Sequence, residues 1–296
     1  MPITNELNLP APFVDAVTRD YKYKDKRYSV TSLLKGTREA ILQRRHSEEI
    51  ITDVSDSVWM IFGSAVHSIL ENAKETETQL KENRITVDMP NGYTLSGIFD
   101  LYDDSTGTVT DYKTASVWKA IYNEWDDYRK QLLIYCWMLR EMGFDAHTGE
   151  IVALLKDHSK SKAKFDRDYP QHPVVVKRFE FTDNEFDEIG MWLESKFREI
   201  EACEKLPDDE LPICSPDERW YKPGKWSVTK KGNKKATKLF DEDKEAEARE
   251  YADHLAERDG KPYEVEFRRG KDGKCEDYCS VCEFCKHWRE CNENQD

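Results

Sequence analysis

Gly97-Ile98-Phe99-Asp100-Leu101-Tyr102-Asp103-Asp104-Ser105-Thr106-Gly107-Thr108-Val109-Thr110-Asp111-Tyr112-Lys113-Thr114 is the stretch whose reading decides the fold. β-Branched and aromatic residues on either side of an Asp/Ser/Gly turn predict two short strands with the chain reversing between them. The first is expected to end in Asp100 and the second in Asp111. Strand side chains alternate between faces, so Asp111 and Lys113 project to the same side about 7 Å apart, with Tyr112 opposite. Two carboxylates and an ammonium therefore converge on one spot. Two acids that close repel unless a cation lies between them, and oxygen ligands suit a hard divalent ion such as Mg or Mn. Because Asp at strand ends and Asp-x-Lys on solvated strands are also common, the flanking segments have to decide.

At 296 residues and net charge −14, the chain has room for one sizeable α/β domain with an appended lobe. Met1 to Val14 is neither basic nor apolar, and no later stretch approaches the ~20 apolar residues of a membrane span. A soluble, intracellular protein with no membrane partner is expected. The acidic balance argues against a protein that coats nucleic acid, but a focused basic patch outweighs the total where phosphates are gripped locally. Lys222, Lys225, Lys230, Lys231, Lys234, Lys235 and Lys238 form such a cluster.

Tyr28 to Leu34 leads into an amphipathic stretch, with Ser32 as the expected helix cap and Arg44, Arg45 and His46 as a small basic face. Ile61 to Glu71 has the small and apolar residues of a helix pressed into a core, and on it His67 and Glu71, four apart, share a face. That histidine is either a hydrogen-bonded core residue or one turned towards the two acids. Arg84 to Asp88 and Tyr93 to Leu101 read as strands. A long helix is expected from Ser116 to a Gly143 cap, with Gln131 and Tyr135 on one face. Gly149 to Lys156 and Val174 to Phe181 read as strands, separated by a polar loop from His158 to His172. Thr182-x-x-Glu185 is a capping box for the helix that follows. After a linker at Leu206 to Pro216 comes an aromatic, basic lobe with a polar helix from Asp243 to about Ala256 and a strand at Tyr263 to Arg268.

Gly63-x3-His67-x3-Glu71, Gly97-x2-Asp100, Asp111-x-Lys113 and Gln131-x3-Tyr135 form an ordered series that resembles the RecB-type branch of the PD-(D/E)XK nuclease superfamily. The resemblance spans Tyr28 to Cys291 and implies a restriction-endonuclease-like α/β core, a mixed central sheet flanked by helices, with a C-terminal cysteine-ligated metal or cluster lobe. The expected division is an N-terminal extension over 1–27, a nuclease core over 28–204, and a basic lobe with its cysteines over 205–296. Carried over residue by residue, the resemblance implies that His67, Asp100, Asp111 and the backbone carbonyl of Tyr112 bind Mg or Mn. It also implies that Lys113 orients or activates water, that Gln131 and Tyr135 position the strand, and that Glu71 orients His67 or approaches a second metal.

Eight cysteines are unevenly spread. Cys136 and Cys203 lie in helical patterns and are expected to pack as small apolar side chains. Cys275, Cys279, Cys282, Cys285 and Cys291 crowd the last stretch, and Cys214 follows the linker. Cys282-x2-Cys285-x5-Cys291 is similar to the iron-sulfur members of the branch, whose further cysteine usually precedes the histidine motif; here no cysteine precedes Cys136, and Cys214 is a substitute. A second set, Cys214, Cys275, Cys279 and Cys285, is closer to phage-type members. The resemblance implies a [4Fe-4S] cluster on four of these six; four thiolates also fit zinc. The lobe between Cys214 and Cys275 then becomes a clamp in which Lys222, Lys225, Trp226, Lys230, Lys231, Lys234 and Lys235 bind DNA, unless it is simply a solvated hairpin.

The function expected is that of a metal-dependent deoxyribonuclease, an exonuclease on DNA ends or single strands, in phage or bacterial DNA recombination, repair or processing. It would work in the cytoplasm of a bacterial host cell, beside a helicase or annealing protein. The alternatives are a CRISPR-adaptation-type nuclease and, from another class, a non-catalytic zinc-stabilised nucleic-acid-binding module.

Overall fold

The computed structural model describes residues 2–18 and 22–293 and divides the chain into two compact units, 1–207 and 208–296. In the first unit a five-stranded sheet runs in the order Val174–Glu180, Thr148–Leu155, Thr108–Ala115, Leu101–Asp103, Gln79–Lys81. Thr108–Ala115 and Thr148–Leu155 are parallel and the other pairs antiparallel, so the sheet is mixed. A parallel pair needs a crossover, and the helix Asp126–Glu141 supplies it. That helix buries Leu132, Ile134, Met138 and Leu139 in the core, where Cys136 also packs as expected.

A second sheet, Arg27–Ser29, Tyr93–Ile98, Arg84–Met89, carries the chain into the first. The single strand expected over Tyr93 to Leu101 is therefore two strands in two sheets. Phe99, 1% exposed, turns into the core against the Tyr102 ring at 6.4 Å, and Asp100 falls in the break. Gly97 is required just before it, because a Cβ there would lie 2.6 Å from the Tyr135 ring.

Several local readings hold and several do not. Thr182 and Glu185 form the capping box of Asp183–Cys203, and Gly143 follows the crossover helix Asp126–Glu141 with φ 91°, the left-handed conformation that favours glycine. The long helix expected from Ser116 is two, Val117–Ile121 and Asp126–Glu141, broken where Asn123 takes φ 55°. Ser29, not Ser32, caps the first helical turn, its Oγ accepting from the Ser32 N–H at 3.1 Å. The loop after His158 contains a short helix, Lys160–Phe165. The helix Val58–Glu71 has no buried residue, with Trp59 60% and Ile69 71% exposed, so it is not pressed into the core. It meets the site where Gly63 faces Thr114 and His67 faces Asp100, and its Trp59 ring lies 3.6 Å from the Lys156 ammonium.

The second unit has a small core of its own. A three-stranded antiparallel sheet, Lys238–Asp241, Lys225–Lys230, Tyr263–Arg268, packs on the helix Glu245–Asp259 through Val228, Phe240, Ala248, Ala252 and Leu255. The cysteine-rich stretch beyond it folds into short turns and the helices Gly273–Asp277 and Lys286–Glu293.

Candidate active site

Three segments meet at the break after Ile98. The strand Thr108–Ala115 brings Asp111 and Lys113 to one face, with Lys113 Nζ 2.6 Å from Asp111 Oδ2. Asp100 accepts the Tyr112 N–H at 2.6 Å on Oδ2, which locks the two acids in register. His67 Nδ1 lies 3.2 Å from Asp100 Oδ1 and 3.5 Å from Glu82 Oε1. The sequence-predicted imidazole, two carboxylates and amine are thus brought together.

Burial makes this an expensive arrangement for the charges alone. Asp100 and Asp111 are 8% and 3% exposed. Desolvation pushes the Asp111 carboxyl up to about 6; the Lys113 ammonium opposes the rise and the neighbouring Asp100 adds to it. The hydrogen bond that His67 donates to Asp100 pushes its imidazole up to about 9 against the opposing effect of burial. Asp111 Oδ2 is buried and receives no well-directed hydrogen bond, its near neighbour being the Lys113 ammonium. A buried carboxylate oxygen so placed, beside an ammonium, is chemically suited to ligating a hard divalent ion.

Gln131 and Tyr135 line up behind the acids. The Gln131 amide donates to the Tyr135 hydroxyl at 3.3 Å, and burial raises the phenol strongly, with Asp111 and Asp100 adding to the effect. The Tyr128 ring lies 5.2 Å from the Lys113 ammonium, a cation–π contact that the sequence reading missed.

Glu71 is not the acid beside His67. The group whose ligand atoms lie within 4.8 Å of one another is His67, Glu82 and Asp100. Glu71 offers its backbone carbonyl to Lys81 Nζ at 2.7 Å instead. Glu82 reaches the histidine from a turn where it takes φ 49°, with its N–H on the Asp100 carbonyl. No spacing rule marks such a residue. Of the basic face expected at Arg44 to His46, Arg44 serves the fold, donating to the Arg27 and Lys24 carbonyls at 2.7 Å.

In the second unit the six candidate cysteines are partly exposed. Burial raises the Cys275 thiol to about 12, and Cys279, Asp272, Cys214 and Cys285 add to the rise, which places those three cysteines around it. Cys291 belongs to a different group, 3.8 Å from His287 Nε2, which is 2.8 Å from Asp272 Oδ2. Among the basic residues, Lys225 pairs with Asp241 at 3.1 Å and Lys230 with Asp259 at 3.5 Å. Trp226 is no open stacking platform: its ring packs 4.9 Å from Phe267 and its indole N–H donates to the Glu242 carbonyl. Lys222 is exposed, as are Lys231, Lys234 and Lys235 on the hairpin.

A family model of the PD-(D/E)XK nuclease superfamily matches residues 26–291. The chain belongs to that superfamily, whose nucleases use divalent metal ions. No curated protein sequence matches it. Among solved structures, SSO0001 is similar at 16% identity over 64% of this chain and 81% of its own, with a TM-score of 0.46. LHK-Exo in complex with dAMP is similar at 15% identity over 58% of this chain and 91% of its own, TM-score 0.32. A phage-related exonuclease from Haemophilus somnus 129PT is similar at 12% identity over 58% and 81%, TM-score 0.29. No described helix is long and apolar enough to cross a membrane.

Proposed function

We propose that the chain is a Mg- or Mn-dependent deoxyribonuclease of the RecB-like branch, an exonuclease on DNA ends or single strands in phage or bacterial DNA recombination, repair or processing. The observation that carries this reading is the convergence of His67, Asp100, Asp111 and Lys113 on one buried spot. Asp100, Asp111, His67 and the Tyr112 carbonyl would hold the ion, and the undirected Asp111 Oδ2 fits that role. When bound, a divalent ion supplies an acidified water and neutralises charge on the phosphodiester. His67 must give up a proton to ligate, and Glu82 is placed to orient its ring. Lys113, with its Nζ 2.6 Å from Asp111 Oδ2, presents positive charge to the phosphate. Tyr135 and Gln131 hold the inner wall against which the strand is positioned.

For the second unit the reading is a [4Fe-4S] cluster on Cys214, Cys275, Cys279 and Cys285. This set is supported by the effect of Cys279, Cys214 and Cys285 on the Cys275 thiol; four thiolates there also fit zinc. Lys231, Lys234 and Lys235 would add phosphate contacts. The test of the activity is degradation of end-labelled single- and double-stranded DNA with Mg and with Mn, against an Asp111→Ala variant; equal degradation by both proteins overturns the assignment. Visible absorption with iron and sulfide analysis tests the cluster, and colourless protein with stoichiometric zinc overturns it.

A further inference from the structure

The helix Val58–Glu71 passes the acid centre with one face. Trp59, Gly63 and His67, four residues apart, lie on that face and meet Lys156, Thr114 and Asp100 in turn. Beyond Lys113 the chain enters the helix Val117–Ile121, whose two sides differ. On the inner side Lys119 pairs with Asp127 at 2.9 Å and lies 4.1 Å from the Tyr128 ring, which itself lies 5.2 Å from the Lys113 ammonium. On the other side Trp118 and Tyr122, 53% and 63% exposed, stack at 5.7 Å with their rings 21° from parallel. A ring pair left open to water is unlike Trp226, whose ring Phe267 covers. Asp157 ties the loop after the next strand to the same helix, accepting from Ser116 Oγ at 2.8 Å and from the Val117 N–H at 2.6 Å. That loop exposes Lys160, Lys162 and Lys164, and among the described residues none of the three has a carboxylate within ion-pair distance.

We propose that Trp118, with Tyr122 stacked behind it, is a platform for the unpaired bases of a DNA strand whose phosphodiester lies in the acid centre, and that Lys160, Lys162 and Lys164 hold the backbone of that strand. The inference rests on the nuclease reading and narrows its substrate to single strands and frayed ends. Inside a duplex both faces of each base are covered by its neighbours, so an open ring pair gains contact only from bases that have left the stack. The lysines add a charge attraction common to paired and unpaired strands. Discrimination therefore falls to the rings. Tyr128, in contact with both Lys113 and Lys119, holds the platform helix at a fixed distance from the amine.

The test compares a short oligothymidylate, an abasic strand of the same length and a blunt duplex carrying the same thymidylate strand. Affinity is read by fluorescence anisotropy in EDTA, where cleavage stops, and initial degradation rates are read with Mn. The parent is expected to bind the base-bearing strand at least about tenfold more tightly than the abasic one, ~1.4 kcal/mol. Trp118→Ala/Tyr122→Ala should reduce that ratio at least about fivefold with the abasic strand bound as before, and Trp118→Phe, which keeps a ring, should retain most of it. Lys160→Ala/Lys162→Ala/Lys164→Ala should weaken both strands alike and lower the slope of log affinity against log salt by about 0.7 per lysine. Equal affinity of the parent for the two strands overturns the proposal, as does a ratio that survives in the double variant, or a blunt duplex degraded as fast as the single strand. Should the double variant melt below the parent, Tyr122→Ala alone and the parent's own preference decide. If base-bearing strands are preferred in EDTA but nothing is degraded with Mg or Mn, the nuclease reading fails and the platform stands. If DNA is degraded with no preference for bases, the reverse holds.

Discussion

Asp111, 3% exposed, is held over a core that includes Leu132, Ile134, Met138 and Phe197. Cys275 to Cys291 lie on a stretch in which Val281 is, among the described residues, the one buried apolar side chain. The acid centre is thus preformed by packing around it, and its charges are held close before any ion arrives. The cysteine-rich stretch has too little apolar surface to fix its own turns, and a core of five buried residues nearby is small. The difference teaches that ligand binding should mean different things in the two units. In the first, binding adds function to a fold that exists; in the second, if its cysteines take the proposed cluster, binding free energy would be folding free energy.

The largest expected effect is on activity. Asp111→Ala and Lys113→Ala should each lower the initial rate of DNA degradation by at least about a hundredfold while circular dichroism stays that of the parent. Loss of the fold in either variant would erase the contrast drawn above.

Next comes the second unit. Cys275→Ser should abolish bound iron and open residues 208–296 to limited proteolysis while residues 1–207 survive as a resistant fragment. Cys291→Ser, whose thiol faces His287, should keep the iron. Cooperative loss of both units in Cys275→Ser would show that they do not differ as argued.

A smaller effect distinguishes a preformed site. Mn at a hundred times its dissociation constant should stabilise the first unit by about 2.7 kcal/mol, seen as a rise in melting temperature that Asp111→Ala lacks.

The pH dependence of the metal-free protein sharpens the same point. The His67 imidazole is raised from 6.5 to about 9 in the folded state. Its contribution is therefore fully present below about pH 6.5 and is lost as the pH rises through 9. The melting-temperature gap between the parent and His67→Gln should narrow over that window; a constant gap would place the proton elsewhere.

The smallest effect is expected at the hairpin. Lys234→Ala/Lys235→Ala should reduce the slope of log affinity against log salt by about 0.9 per lysine for duplex DNA. Unchanged slopes would make the hairpin a solvated loop.

What was legible follows from the periodicities involved. Alternation along Thr108–Ala115 puts Asp111 and Lys113 on one face whatever surrounds them, and the Thr182 capping box depends on four consecutive residues. His67 was legible as a candidate and Glu82 was not, because its approach depends on a left-handed turn and a strand pairing that no local pattern encodes. Trp226 reads as a stacking residue in a basic stretch, yet Phe267, far along the chain, covers its ring.

The capping box at Thr182, the Asp-x-Lys face and the crowding of thiols near the C-terminus were determined by the chain alone, since each rests on neighbours a few residues apart. Where the strand after Tyr93 breaks, which acid stands beside His67 and which cysteines surround Cys275 were decided only in three dimensions. Those outcomes depend on which distant side chains compete for the same buried space, and that competition has no local signature.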